Sequence, residues 1–143
     1  MPGPPRPPIG LALARASKSV GRAFEDALAA AGGSTSTWLV LLSLKAQPPA
    51  NQRALAESVG IQGATLTHHL NAMEDAGLLT RRRDPGNRRV HLVELTVEGE
   101  ALFQRLRKAA MAFDRRLRKG LDGAQLAQLE QLLERLIANA APS

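Results

Sequence analysis

Between Asn51 and Gly77 the chain reads as two short helices with almost nothing between them. "QRALAES" runs to Gly60, the next helical stretch begins at about Gln62, and only Val59-Gly60-Ile61 forms the link. A link this short makes the two helices cross closely against each other. The residues such a crossing needs are in place: Ala56 is small enough for close approach, Gly60 suits the left-handed turn, and Leu66 plugs the gap from the second helix, at spacings of 4 and 6. The segment predicts a helix-turn-helix, with Asn51 capping its first helix and the second running from about Gln62 to Ala76.

The second helix separates its faces cleanly. At 3.6 residues per turn Leu66, Leu70 and Met73 form an inward stripe with His69 beside it, while Ala64, His68, Asn71 and Asp75 point the other way and Thr65 and Thr67 lie on the flanks. Its outward N-terminal half is small, polar and almost uncharged. Such a surface fits a major groove about 12 Å wide and can hydrogen-bond to base edges.

"RRRDPGNRRVHLVEL", Arg81 to Leu95, follows directly and carries five arginines and one histidine in fifteen residues. Asp84-Pro85-Gly86-Asn87 has the residues of a reversing turn. The second strand alternates Val90, Leu92 and Glu94 against Arg89, His91 and Val93, which predicts one antiparallel hairpin. A basic hairpin next to a helix-turn-helix is a wing, whose tip can reach a narrow minor groove where negative potential is concentrated. Arg88 and Arg89 fall at that tip, and Asp84 is placed to brace one of them.

The rest of the chain is helical. Leu13, Val20, Phe24 and Leu28 recur at helical spacing between Ile9 and Ala31, after a start with five prolines in eight residues that reads as an extended arm. "STSTWLVLLSLKAQPP" offers hydroxyl caps, an apolar body and a Pro48-Pro49 stop. Thr96 can cap a long fifth helix with Glu98 and Glu100 in its first turns, and Asp122 with Gln125 forms a capping-box start for a sixth. In that last helix Leu126, Leu129, Leu133 and Leu136 recur at spacings of 3, 4 and 3, more apolar surface than a small neighbour can bury, which points to a second copy of the chain. The fold class is mainly α with one β-hairpin: a winged helix-turn-helix with a helical dimerisation region from the N- and C-terminal helices. Residues 9–143 form one domain after the arm of residues 1–8, with 34–96 as the winged core and 9–31 and 97–140 as dimerisation helices.

Composition narrows the function. The chain has 143 residues, a net charge of +6 and 15 arginines among its 19 cationic residues, which favours an anionic partner. With no cysteine there is no disulfide, thiolate metal site or thiol redox switch. His68 and His69 diverge by one helical step and cannot chelate one ion from the same face, so no metal and no cofactor is expected. No catalytic nucleophile with a paired base and no Gly-rich phosphate loop is visible, so no enzyme is expected. No apolar run is long enough to span a membrane, and the chain reads as soluble and cytoplasmic.

The segment "LAESVGIQGATLTHHLNAMEDAGLLTRRRDPGNRRVHLVELTVEG" resembles the winged-helix core of the MarR family of bacterial transcriptional regulators. That family's hairpin carries a D-P-x-D-R-R pattern and an apolar strand ending in L-T-x-x-G. Here these read Asp84-Pro85-Gly86-Asn87-Arg88-Arg89 and Leu95-Thr96-Val97-Glu98-Gly99, with Asn87 where the family has a second aspartate. The resemblance implies an obligate homodimer with intertwined first, fifth and sixth helices. It also implies a pseudo-palindromic double-stranded operator, and repression relieved by a small molecule bound between the dimerisation and DNA-binding regions.

The expected function is therefore sequence-specific DNA binding by a transcriptional regulator. Gln62, Ala64, Thr65, Thr67, His68 and Asn71 serve the recognition helix, Asn51 and Gln52 anchor the preceding helix to the backbone, and Arg83, Asp84, Arg88 and Arg89 serve the wing. The alternative is a protein-binding winged-helix or dimerisation module, in which clustered hairpin arginines have no purpose.

Overall fold

The computed structural model describes residues 3, 5–46, 50–60 and 63–143. Its elements run α1 (Ile9–Ala30), α2 (Thr35–Ala46), β1 (Ala50–Asn51), α3 (Gln52–Val59), α4 (Gly63–Asp75), β2 (Leu79–Asp84), β3 (Asn87–Leu95), α5 (Val97–Arg118) and α6 (Gly123–Ala140). The expected helices and hairpin are all present, with ends within two residues of those read from the sequence. Pro48, Pro49 and Ile61, expected in the links flanking α3, lie outside the described residues.

Local chemistry sets the boundaries. Ser34 Oγ accepts the Thr37 N–H at 3.1 Å to start α2, and Asn51 Oδ1 accepts the Ala54 N–H at 2.7 Å to start α3. Gly60 ends α3 at φ +75°, the left-handed conformation that makes a glycine the favoured residue there. Asp122 and Gln125 form a reciprocal capping box at the head of α6.

Two compact units follow from the chain's contacts, residues 1–110 and 111–143. The first has one core, in which Leu28, Val40, Leu41, Leu44, Leu55, Leu66, Leu70, Leu79, Val93 and Leu106 are buried, with Trp38 stacked on Phe103 at 5.5 Å between ring centres. The inward stripe read from α4 is buried as expected, and Ala56 packs against the same cluster. In the second unit α6 buries none of its residues fully: Leu126, Leu133 and Leu136 are half-buried, and Leu129, Leu132 and Ile137 are exposed.

Two features of the sheet depart from expectation. The hairpin gains a third strand: β1 pairs with β3 through Ala50 and Asn51, giving the order β1-β3-β2. Two residues cannot display an alternating pattern, so this strand leaves no periodic signal. The buried position on β3 is Val93, on the face that also carries Arg89 and His91, whereas Val90 and Leu92 are only half-buried. Val93 lies over the core at the base of the hairpin, opposite Ala50 and Arg81. Arg89 and His91 share its side of the strand but lie further out, so the same face is apolar at its root and basic toward its tip.

Candidate nucleic-acid interface

The structure divides the five hairpin arginines into three kinds. Arg81 is turned inward: its side chain is 18% exposed, and its guanidinium bonds both Glu74, at 3.1 Å, and Asn71 Oδ1 on α4. Its backbone N–H also reaches Glu74 at 3.0 Å. These bonds, and the arginine's positive charge, hold the Glu74 carboxyl below its ordinary pKa, although partial burial works in the opposite direction. Arg82 pairs across the ladder with Glu94 at 2.9 Å. Arg83 donates to the Arg88 carbonyl at 3.2 Å, bracing the two strands close to the turn.

Arg88 and Arg89 are the third kind. Both are exposed, and among the described residues their guanidinium groups form no ion pair. The expectation that Asp84 braces one of them is corrected by the structure: Asp84 Oδ1 accepts the Gly86 N–H at 2.9 Å and closes the turn. An aspartate at the start of a turn satisfies a backbone donor two residues on more readily than it orders a long exposed side chain. Asn87 Oδ1 likewise accepts the Arg89 backbone N–H at 3.2 Å, so the asparagine shapes the tip through the main chain. The tip is thus fixed by backbone bonds and presents two arginines whose charges are unspent.

On α4, Ala64, Thr65 and His68 are exposed along one face. Thr67 is half-buried and accepts from Gln52 Nε2 at 2.7 Å, and Asn71, though exposed, is engaged by Arg81. Two expected DNA contacts on this helix and one on α3 are therefore tied to neighbouring protein groups. Asn51 has its side-chain oxygen on the α3 cap. Gln62 lies outside the described residues. Nothing in the sequence distinguishes Arg81 from Arg82 and Arg83 or marks Glu74 as its partner; the turn at Gly77, φ +76°, is what brings β2 back alongside α4.

An open groove of about 1330 Å³ lies among α3, α4 and the hairpin, with Gln52, Glu57, Thr67, Glu74, Arg81 and His91 in its walls. Among the described residues no group of three histidine, aspartate or glutamate side chains is arranged to hold a metal ion. No single described helix is long and apolar enough to cross a membrane.

The fold is shared with known proteins. Residues 34–91 match the sequence profile of the MarR family. The HTH-type transcriptional regulator YdgJ of Bacillus subtilis (strain 168) is 29% identical over 123 residues, which span 86% of this chain and 73% of the relative. The transcriptional repressor CouR, solved on a 23-mer DNA duplex, is 33% identical with a TM-score of 0.80, over 94% of this chain and 93% of its own. CouR solved with p-coumaroyl-CoA superposes with a TM-score of 0.78 at 30% identity, over 91% of both chains. A MarR-family regulator from Rhodococcus sp. RHA1 is 27% identical, with a TM-score of 0.76 over 90% of this chain and 91% of its own. Near-complete coverage of a repressor a third identical, together with the matched winged core, establishes that this chain belongs to the MarR family of transcriptional regulators.

Proposed function

We propose that the protein is a sequence-specific DNA-binding repressor that works as a homodimer in the cytoplasm and releases its operator when a small molecule binds. The observation that carries this reading is the pairing of an exposed, nearly neutral helix face, Ala64, Thr65 and His68, with a wing whose Arg88 and Arg89 have no counter-charge among the described residues. A neutral face can approach base edges without crowding phosphates, and an unpaired guanidinium enters a narrow minor groove without first breaking an internal ion pair. Arg83 and Asp84 shape the wing, and Asn51 and Gln52 lie at the head of α3, where a phosphate can approach.

The apolar side chains left exposed on α1 (Ile9, Leu11, Leu13, Val20) and on α6 (Leu129, Leu132, Ile137) support dimerisation, since apolar surface on this scale calls for a partner. Leu126, Leu133 and Leu136 extend the α6 stripe into that interface. CouR, the relative solved both on DNA and with p-coumaroyl-CoA, makes p-coumaroyl-CoA and similar CoA thioesters the first effectors to try.

The test is fluorescence anisotropy with duplex DNA from upstream of the protein's own gene against a scrambled duplex, across a salt series. Tight binding to the upstream duplex that persists at moderate salt, with the scrambled duplex lost, supports the reading. Equal binding to both, fading steeply with salt, reduces the wing to non-specific charge.

A further inference from the structure

Three side chains of α4 that are bonded to other elements fall on one face of that helix. Thr67, Asn71 and Glu74 follow at i, i+4 and i+7, between about 60° and 120° around the helix from His68. Gln52 of α3 donates to Thr67 at 2.7 Å, and Arg81 of β2 donates to Asn71 and to Glu74. Ala64, Thr65 and His68 are thus left free to read, while the neighbouring polar side chains at the edge of that face are gripped.

We propose that Gln52 and Arg81 are positioning residues for sequence recognition: they grip α4 by Thr67, Asn71 and Glu74 and so set its rotation relative to α3 and the wing. This rests on the DNA-binding reading above. The apolar stripe Leu66, Leu70 and Met73 anchors α4 in the core, but apolar contact is non-directional and tolerates small rotations about the helix axis. Hydrogen bonds lose strength steeply with angle and do not tolerate them. The gripped positions span about 10 Å along the helix, from Thr67 to Glu74, so together the two grips fix tilt as well as twist. A planar guanidinium suits the second grip because it spans acceptors on successive turns, which a lysine ammonium does not. The Arg81 and Glu74 charges also cancel, so the pair adds specificity without adding general attraction for phosphate.

The sign of one substitution separates this role from plain electrostatics. Glu74→Ala removes a negative charge near DNA, so a purely electrostatic role predicts tighter binding to every duplex. Positioning predicts weaker binding to the preferred duplex only. The experiment selects a preferred site from a randomised duplex library with the wild-type protein. It then measures Glu74→Ala, Glu74→Gln, Arg81→Met and Gln52→Ala on the selected and a scrambled duplex across a salt series.

The expected result is about a tenfold loss on the selected duplex for Glu74→Ala and for Arg81→Met, comparable to one mismatched base pair. The scrambled duplex is not weakened and the salt slope is unchanged. Glu74→Gln, which keeps an acceptor for Arg81, retains more of the preference. Glu74→Ala combined with Arg81→Met, measured in the same way, is no worse than either single variant, because the two residues form one grip. Should Arg81→Met fail to fold, Glu74→Ala and Gln52→Ala, at half-buried positions outside the apolar core, carry the test.

Tighter binding of Glu74→Ala to both duplexes overturns the inference. So does an equal loss of Arg81→Met on both duplexes with a salt slope reduced by about one, since that marks a phosphate contact. A wild-type protein that selects no site overturns the DNA-binding reading and this inference with it. A wild type that selects a site which every variant keeps overturns the inference alone.

Discussion

The Thr96 hydroxyl donates to the Gly77 carbonyl at 2.6 Å and accepts the Gly99 N–H at 3.1 Å. One side chain thereby joins the turn that ends α4 to the first turn of α5. The Thr96 backbone N–H adds a bond to the Leu78 carbonyl at 3.1 Å. Gly99 completes the join, because a Cβ there would overlap the Leu78 carbonyl oxygen. The spacing of the L-T-x-x-G motif is that of a latch in which the threonine bonds both sides and the glycine lets them meet.

Gly99→Ala is therefore expected to destabilise the protein by about 3 kcal/mol, the upper end of ordinary overpacking, because the clashing atom is backbone and cannot rotate away. Thr96→Val keeps the shape but removes both side-chain bonds, at about 1 kcal/mol. Denaturant unfolding of the two variants against the wild type measures both, and a Gly99→Ala protein as stable as the wild type refutes the latch.

Arg89→Ala and Arg88→Ala are expected to weaken DNA binding by about 1 to 3 kcal/mol each, whereas Arg135→Ala on α6 changes it little. Arg82→Ala should fall between them, since Arg82 is already committed to Glu94. Anisotropy titrations on one duplex at fixed salt give this ranking. Equal losses at Arg89 and Arg135 show that only net charge matters.

Leu129→Glu together with Ile137→Glu is expected to convert a dimer into a monomer while leaving the helical content of the chain intact. Within one chain these side chains are 47% and 71% exposed, so the charges meet water unless a partner covers them. Sedimentation velocity reads the change in mass, and circular dichroism reads the fold. A wild type that sediments as a monomer removes the basis for the proposed dimer.

Acid should destabilise the protein through two glutamates. Hydrogen bonds from Arg81 to Glu74, and from Lys45 and Gln104 to Glu100, hold both carboxyls below their ordinary value of 4.5. A carboxyl lowered in the folded state contributes its stability above that ordinary value and loses it as pH falls through the lowered one. Unfolding midpoints measured from neutral pH downward should fall for the wild type and fall less for Glu74→Gln combined with Glu100→Gln. Parallel curves for the two proteins refute the assignment.

The hairpin shows where sequence reading reaches its limit. Its existence, turn and charge follow from Asp84-Pro85-Gly86-Asn87 between two strand-like runs, because turn chemistry is local. Which arginine faces outward does not follow. Arg81, Arg82 and Arg83 are consecutive and chemically identical, and only the return of β2 alongside α4 places the first of them against Glu74. The same holds for Thr67, on the flank of α4 by helical period, and Asn71, outward-facing by it, which Gln52 and Arg81 engage once α3 and β2 take their places.

The amino-acid sequence by itself determined the helices, their caps, the tight turn at Gly60, the buried stripe of α4 and the basic hairpin. Each of these depends on residues within a few positions of one another, where propensity, capping and periodicity act. Only the tertiary structure decided that β1 joins the sheet, that Val93 is the buried residue of β3, that Asp84 closes the turn, and that, among the described residues, Arg88 and Arg89 are the hairpin arginines whose guanidinium groups form no ion pair or hydrogen bond. The reason is that a side chain's partner depends on which elements converge on it, and that convergence is a long-range property no local spacing records.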